Sequence, residues 1–200
     1  MYGYVDGFLG RKVLEEKYYF YKDKYSLVYA SSMGQDIALI DIINQYIEKD
    51  KPFILAEIGV LAARTAVVLL DEFQDRINYI GVDPLIKYSA GTEVRMKEAR
   101  ETAIFRLKDR KNAVLLLEQS LKIVKQIEDE SIDIVFVDAQ HDYKPTKLDI
   151  LHWWPKAKKL LAVHDYMTYK SVGDAVDEFA KYLDLEVKTT FGDVAYIIKQ

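Results

Sequence analysis

Short apolar runs alternate along this chain with longer segments in which apolar and polar residues are mixed. Runs with little polar alternation are typical of strands that are buried on both faces of a parallel sheet. Five such runs are present: Phe53–Ala56, Ile77–Val82, Ala113–Leu117, Ile132–Val137 and Leu160–Val163. Because the runs alternate with segments of helical pattern, they predict an α/β fold whose sheet is covered by helices on both faces.

The mixed segments predict the helices and the two ends of the fold. Helices are expected over Gln35–Glu48, Glu93–Arg110, Leu121–Ile127, Tyr143–Lys158 and Val172–Leu183. Two last strands, Leu185–Thr190 and Val194–Lys199, flank Phe191-Gly192-Asp193, which is a hairpin signal and predicts an antiparallel edge. Residues 1–50 are expected to form a helical N-terminal cap, and residues 51–200 the main domain.

Composition excludes several function classes. The 200 residues suit one core, and the net charge of −4 without a long basic run makes nucleic acid a poor partner. The absence of cysteine excludes thiol catalysis and thiolate metal sites. No apolar run approaches the ~20 residues that span a bilayer, and no signal-peptide pattern begins the chain, so no membrane association and a cytoplasmic location are expected.

The first strand leads into a turn that is typical of a nucleotide crevice. Glu57 and Gly59 follow the strand, and Ala66–Leu70 begins an apolar helix. The turn is neither Gly-x-Gly-x-x-Gly nor a P-loop, which favours a ligand with ribose hydroxyls and little phosphate. The alternative is a buried strand followed by an ordinary glycine turn.

Polar residues stand just after each apolar run. They are Glu57, Asp83, Ser120, Asp138, His141, His164 and Asp165. Because the carboxyl ends of parallel strands lie along one edge of a sheet, where ligands bind, these side chains are expected to converge on one cleft.

Each of these residues has more than one interpretation. Asp83 could accept hydrogen bonds from two ribose hydroxyls, or it could form a turn before Pro84. Ser120 could contact the edge of an adenine ring, or it could cap the next helix. Glu57 is expected to support the glycine turn.

The acceptor end of the cleft has its own candidates. Asp138 and Asp165 could together bind a magnesium ion. Alternatively, they could cap helices or contact a ribose. His141 suits a general base, and His164 a metal neighbour, a base or a structural residue. His152 is expected to be structural. Tyr143, Trp154 and Tyr166 are expected to line an acceptor pocket or simply to pack.

Three motifs resemble the class I S-adenosylmethionine-dependent methyltransferases. They are Ala56-Glu-Ile-Gly-Val60 with Arg64-Thr65, Ile80-Gly-Val-Asp-Pro84, and Ser131–Tyr143 with its Asp-x-x-His turn. His164-Asp165-Tyr166 is similar to a branch that includes metal-dependent sugar O-methyltransferases. The resemblance covers residues 51–200 and implies a Rossmann-like, seven-stranded, mostly parallel sheet with an antiparallel last strand.

The resemblance also implies roles for individual residues. Glu57 and Gly59 would form the donor turn, Asp83 would bind the ribose and Ser120 would lie near the adenine. Asp138 would contact the cofactor as well as share a magnesium ion with Asp165, and His141 would be the catalytic base. The family usually has glycine where this chain has Ala63, so a methyl group there is expected to narrow the space for the donor; Ala139 replaces a second glycine.

The leading functional hypothesis is methyl transfer from S-adenosylmethionine to a hydroxyl of a small molecule such as a sugar. A non-catalytic nucleotide- or S-adenosylmethionine-binding module of the same fold is the alternative. A nicotinamide enzyme is disfavoured by the missing three-glycine fingerprint. A homo-oligomer is left open.

Overall fold

The computed structural model describes residues 34–86 and 93–199. Residues 1–33 of the expected N-terminal cap, and residues 87–92 of the segment before the charged helix, lie outside the described residues.

The described residues form a seven-stranded sheet, as the resemblance implies. Its strands are β1 Phe53–Ile58, β2 Ile77–Val82, β3 Ala113–Leu116, β4 Ile132–Val137, β5 Ala157–Val163, β6 Lys188–Thr190 and β7 Val194–Ile198. Their spatial order is β3-β2-β1-β4-β5-β7-β6. Strands β1 to β5 pair in parallel, and β7 is antiparallel to both of its neighbours.

Helices connect the strands. They are α1 Gln35–Tyr46, α2 Arg64–Phe73, α3 Glu93–Leu107, α4 Ser120–Ile123, α5 Tyr143–Trp153 and α6 Lys170–Tyr182. The predicted Leu121–Ile127 helix is one α-helical turn followed by the 3₁₀ turn Val124–Gln126. Within the described ranges, no helix has the length and apolarity that a membrane span requires.

Burial on both faces explains why the central strands lack polar alternation. In β4, Ile134 and Phe136 join a core cluster with α1 and α2 on one face of the sheet. The intervening Val135 and Val137 join a second cluster, with α5 and α6, on the other face. Side chains alternate between the faces of a strand, so both sets of positions must be apolar.

Helix α1 is buried more deeply than its amphipathic pattern predicts. Residues 35–40 of this helix are buried all round, including Gln35 at 3% and Asp36 at 2% exposure, and only Asn44 and Gln45 in its second half are exposed. The buried polar groups have partners: Asp36 pairs with Arg64 at 3.0 Å, and Gln35 donates to Asp138 at 2.9 Å. Such partners offset the cost of burying polar groups. Helix α1 therefore shares the core of the sheet.

The turn between β1 and α2 requires a glycine at one position. Gly59 has a φ of 91°, and a Cβ built there would lie 2.6 Å from the carbonyl carbon of Asp138. Ala63, four residues later, also has a positive φ of 57° but is accommodated in the core. The main chain of the turn is thus pressed against the end of β4.

We expect Gly59→Ala to lower the free energy of unfolding by at least about 2 kcal/mol, because it adds backbone strain to a steric overlap. The matched variant Ala63→Gly should stay within about 1 kcal/mol of wild type, because relief of strain offsets the lost methyl group. Urea denaturation measures both. A Gly59→Ala protein as stable as wild type would contradict this account of the turn.

Candidate active site

A cavity of about 760 Å³ lies at the carboxyl ends of the parallel strands. Its wall includes all the polar residues that the sequence predicts to converge: Glu57, Asp83, Ser120, Asp138, His141, His164 and Asp165. The structure therefore brings these seven residues together, although their individual roles remain predictions.

Glu57 lies in β1, two residues before Gly59 of the glycine turn. Its side chain is buried and accepts a hydrogen bond from the hydroxyl of Tyr79. Burial raises the pKa of Glu57 well above its ordinary value, although hydrogen bonds from Tyr79 and Thr65 partly oppose the rise. These two partners are side chains, and the expected support of the glycine turn stays a prediction.

Asp83 makes the turn contacts of its second interpretation, and its contact with a ribose stays a prediction. Its Oδ2 accepts hydrogen bonds from the backbone N–H groups of Val60 at 2.8 Å and Leu61 at 2.9 Å, and its Oδ1 accepts one from Leu85 at 2.7 Å. A carboxylate offers about four acceptor positions, so three backbone bonds leave capacity for a ribose hydroxyl. The turn contacts fix the orientation of the carboxylate at the cavity wall.

Ser120 does not cap the helix that it begins, so that alternative is wrong. Gln119 is the N-cap residue of α4 and makes no side-chain capping bond. The hydroxyl of Ser120 instead donates to Oδ1 of Asp149 on α5. Burial raises the pKa of Asp149 to about 6, with the Ser120 bond opposing the rise.

Asp149 is a site residue that the sequence interpretation missed. A signal was available, because Thr146, Asp149, Ile150 and Trp153 share the spacing of one helix face, and all four are buried. A carboxylate on the buried face of a helix indicates a polar partner or a site.

The acceptor end of the cavity holds two aspartates and two histidines in contact. His141 Nε2 lies 2.8 Å from Asp165 Oδ2. The buried His164 lies between the carboxylates, with Nδ1 3.1 Å from Asp138 Oδ1 and 3.4 Å from Asp165 Oδ2. His164 therefore contacts both of the aspartates that follow β4 and β5.

These contacts change the protonation of the group. Burial alone would lower the pKa of His164, but hydrogen bonds to Asp138 and Asp165 raise it to about 10. The hydrogen bond to Asp165 also raises the pKa of His141. Burial opposes ionisation of Asp165, but the two histidines hold its pKa well below its ordinary value.

The donor set fits a divalent cation. Single ligand atoms of Asp138, His141 and Asp165 lie within 4.8 Å of one another. Carboxylate oxygens suit magnesium, and an added imidazole nitrogen suits softer divalent metals. His141, predicted as a base, thus belongs to the same cluster as the two predicted metal ligands.

Two neighbours of this group were not anticipated from the sequence. The amide of Gln35 donates to Asp138 Oδ2, and the ring of Tyr169 stacks on His141 at 4.2 Å between centroids. Tyr169 lines the cavity, whereas Tyr143, Trp154 and Tyr166 do not. Trp154 packs against Phe179, as its second interpretation allowed, and Tyr166 donates to Asp177 at 2.7 Å. Tyr143 is exposed and donates to Glu178.

Ala63 does not narrow the cavity, which corrects the expectation from the sequence. Its side chain is fully buried in the core cluster with Ala66, and it is absent from the cavity wall. The left-handed backbone at this residue places it within the α1–α2 face of the core.

Comparisons with known proteins agree with this geometry. The sequence profile of a family described as a methyltransferase domain matches residues 56–166. No curated protein sequence matches the chain.

Solved structures with a similar fold include three O-methyltransferases. One is a TDP-rhamnose 3′-O-methyltransferase of calicheamicin biosynthesis, with a TM-score of 0.59 and 12% identity over 98% of this chain and 96% of that chain. Another is TomG of Streptomyces achromogenes, in complex with S-adenosylmethionine. Its TM-score is 0.61, with 12% identity over 92% of this chain and 88% of that chain. The third is from Bacillus cereus, in complex with S-adenosylhomocysteine. Its TM-score is 0.57, with 13% identity over 94% of this chain and 91% of that chain. At these identities the likeness shows the fold.

The buried carboxyl of Asp149 predicts a pH dependence of stability. Its pKa rises from 3.8 to about 6, so the folded protein keeps this proton where the unfolded chain has lost it. The contribution of Asp149 to stability therefore falls as the pH rises from about 4 to about 6.

Relative to wild type, Asp149→Asn should become more stable across this pH range, by up to about 3 kcal/mol at 1.36 kcal/mol per pKa unit. Denaturation of both proteins at pH 4, 5, 6 and 7 measures the difference. A difference that does not change with pH would show that this carboxyl is not perturbed.

Proposed function

The chain belongs to the methyltransferase family whose profile matches residues 56–166, and we propose that it transfers the methyl group of S-adenosylmethionine to a hydroxyl of a small molecule such as a sugar. The observation that carries the proposal is the single cavity that gathers polar side chains from five strand ends.

The order of the strands suggests how the donor lies. From β3 to β5 along the sheet, the strand ends carry Ser120, Asp83, Gly59, Asp138 and Asp165. Adenine beside Ser120 and ribose beside Asp83 would leave the sulfonium over the Gly59 turn. The methyl group would then point toward His141 and Asp165, where the acceptor binds.

His141 is the proposed general base. If its Nε2–H donates to Asp165, Nδ1 of the neutral ring is the atom that takes the acceptor's proton. The acceptor oxygen bonds to the methyl carbon as the carbon–sulfur bond breaks, and the donor leaves as a neutral thioether. Asp165 stabilises the imidazolium, while Tyr169 stacked on the ring holds its orientation.

A divalent cation is part of the proposal, with Asp138 and Asp165 as its protein ligands. When bound, it would lower the pKa of the acceptor hydroxyl and orient it. His164 hydrogen-bonds to Asp138 and lies at ion-pair distance from Asp165, so it holds the two carboxylates near each other and reduces their net negative charge.

A sugar hydroxyl is the favoured acceptor, and the fold similarity to a TDP-rhamnose 3′-O-methyltransferase supports it. We also propose that residues 1–50, whose helix α1 shares the core of the sheet, help to complete the acceptor site. The hydrogen bond from Gln35 to Asp138 supports this role. The non-catalytic alternative rested mainly on Ala63 narrowing the space for the donor. Ala63 is absent from the cavity wall, so this reason no longer supports it.

We expect His141→Ala to reduce turnover about 10²- to 10⁴-fold, because it removes the group proposed to take the proton. Binding of S-adenosylhomocysteine, measured by calorimetry, should stay within about threefold of wild type. The matched variant His152→Ala removes an exposed histidine of α5 that contacts Leu148 O, and should leave turnover unchanged. Near-normal turnover in His141→Ala would exclude the base role.

We expect a chelator to reduce turnover at least about tenfold and added magnesium to restore it. Asp165→Asn should be impaired with or without the metal, because it also removes the negative charge that stabilises the protonated His141. Turnover that is untouched by a chelator would exclude the metal while leaving the His141–Asp165 pair as the base.

A further inference from the structure

A buried carboxylate stands at the β3 end of the cavity, away from the proposed chemistry. Asp149 is 6% exposed and lines the cavity. Among the described residues, only Ser120 donates a hydrogen bond to its carboxylate, at Oδ1.

This arrangement leaves the carboxylate of Asp149 with unused acceptor capacity at the cavity wall. A buried carboxylate needs about two or three donors to offset its desolvation, and one hydroxyl supplies only part of that requirement. The raised pKa of Asp149, about 6, reflects the shortfall. A ligand that brings an N–H group to this point would therefore gain a charge-assisted hydrogen bond.

The surroundings of Asp149 suit a flat aromatic base. Leu121, Pro145 and Leu148 line the same cavity as Ser120 and Asp149. Apolar walls with a few polar groups are typical of sites that bind aromatic rings and fix their orientation. Adenine fits, because it has an apolar face and an exocyclic amino group.

We propose that Asp149, held by Ser120, selects adenine in the methyl donor by accepting a hydrogen bond from the exocyclic amino group. The inference rests on the proposed function and adds the residue that determines base specificity. Hypoxanthine carries a carbonyl oxygen where adenine carries the amino group. That oxygen would face the carboxylate without a proton between them, so the inosine analogue of the donor should be rejected.

Calorimetry at pH 8, where Asp149 is ionised, can compare S-adenosylhomocysteine with S-inosylhomocysteine. Wild type should prefer the adenosine compound by at least about 30-fold. In Asp149→Asn the side chain can donate as well as accept, so the preference should fall at least about tenfold, through weaker adenosine binding, tighter inosine binding or both.

Asp133→Asn is the matched control. Asp133 is a half-buried aspartate at the amino end of β4, outside the cavity wall, and it accepts a hydrogen bond from the N–H of Ile54. Its variant should keep the wild-type preference, even if its stability changes. Should Asp149→Asn fail to fold, Ser120→Ala replaces it and should lower the preference about three- to fivefold.

Three outcomes separate the inference from the proposed function. A preference that falls in Asp149→Asn and persists in Asp133→Asn supports both. An unchanged preference in a folded Asp149→Asn protein, or in Ser120→Ala if that variant is needed, overturns the inference and leaves the proposed function standing. A folded wild type that binds neither compound overturns the proposed function and the inference with it.

Discussion

The site depends on one constraint: neighbouring parallel strands end at the same level of the sheet. The N–H of each residue just beyond a strand bonds to the last carbonyl of the neighbouring strand. Gly59 bonds to Val82 at 2.9 Å, Asp138 to Ile58 at 2.8 Å and His164 to Val137 at 3.0 Å. The sheet's hydrogen bonding thus continues one residue past the strands and holds the functional residues in one row. The overlap that a Cβ at Gly59 would meet shows how closely two neighbours in this row pack.

A polar network stabilises the row where the chemistry is proposed. Gln35 from α1, Asp138 after β4, and His164 with Asp165 after β5 are joined by hydrogen bonds. Because buried polar groups are costly unless paired, loss of one member would leave the others uncompensated. The network therefore joins α1 to the end of β4, so the segment that begins α1 is part of the site's support.

The sequence predicted those parts of the site that depend on local pattern. An apolar run followed by a polar residue marks a strand end, and this rule located Asp83, Asp138 and Asp165. Asp149 lies within a helix, and Gln35 reaches a partner 103 positions away, so both depend on packing that periodicity does not encode. The direction of the Ala63 methyl group depends on a left-handed φ, which a glycine-to-alanine comparison does not reveal.

The most direct test of the account is a crystal structure of the protein with S-adenosylhomocysteine. The account predicts the adenine beside Ser120 and Asp149, the ribose hydroxyls on Asp83, and the sulfur between the Gly59 turn and His141. A ligand bound away from these strand ends, or a well-folded crystal that takes up none at saturating concentration, would contradict the claim that this row of residues is a methyl-donor site.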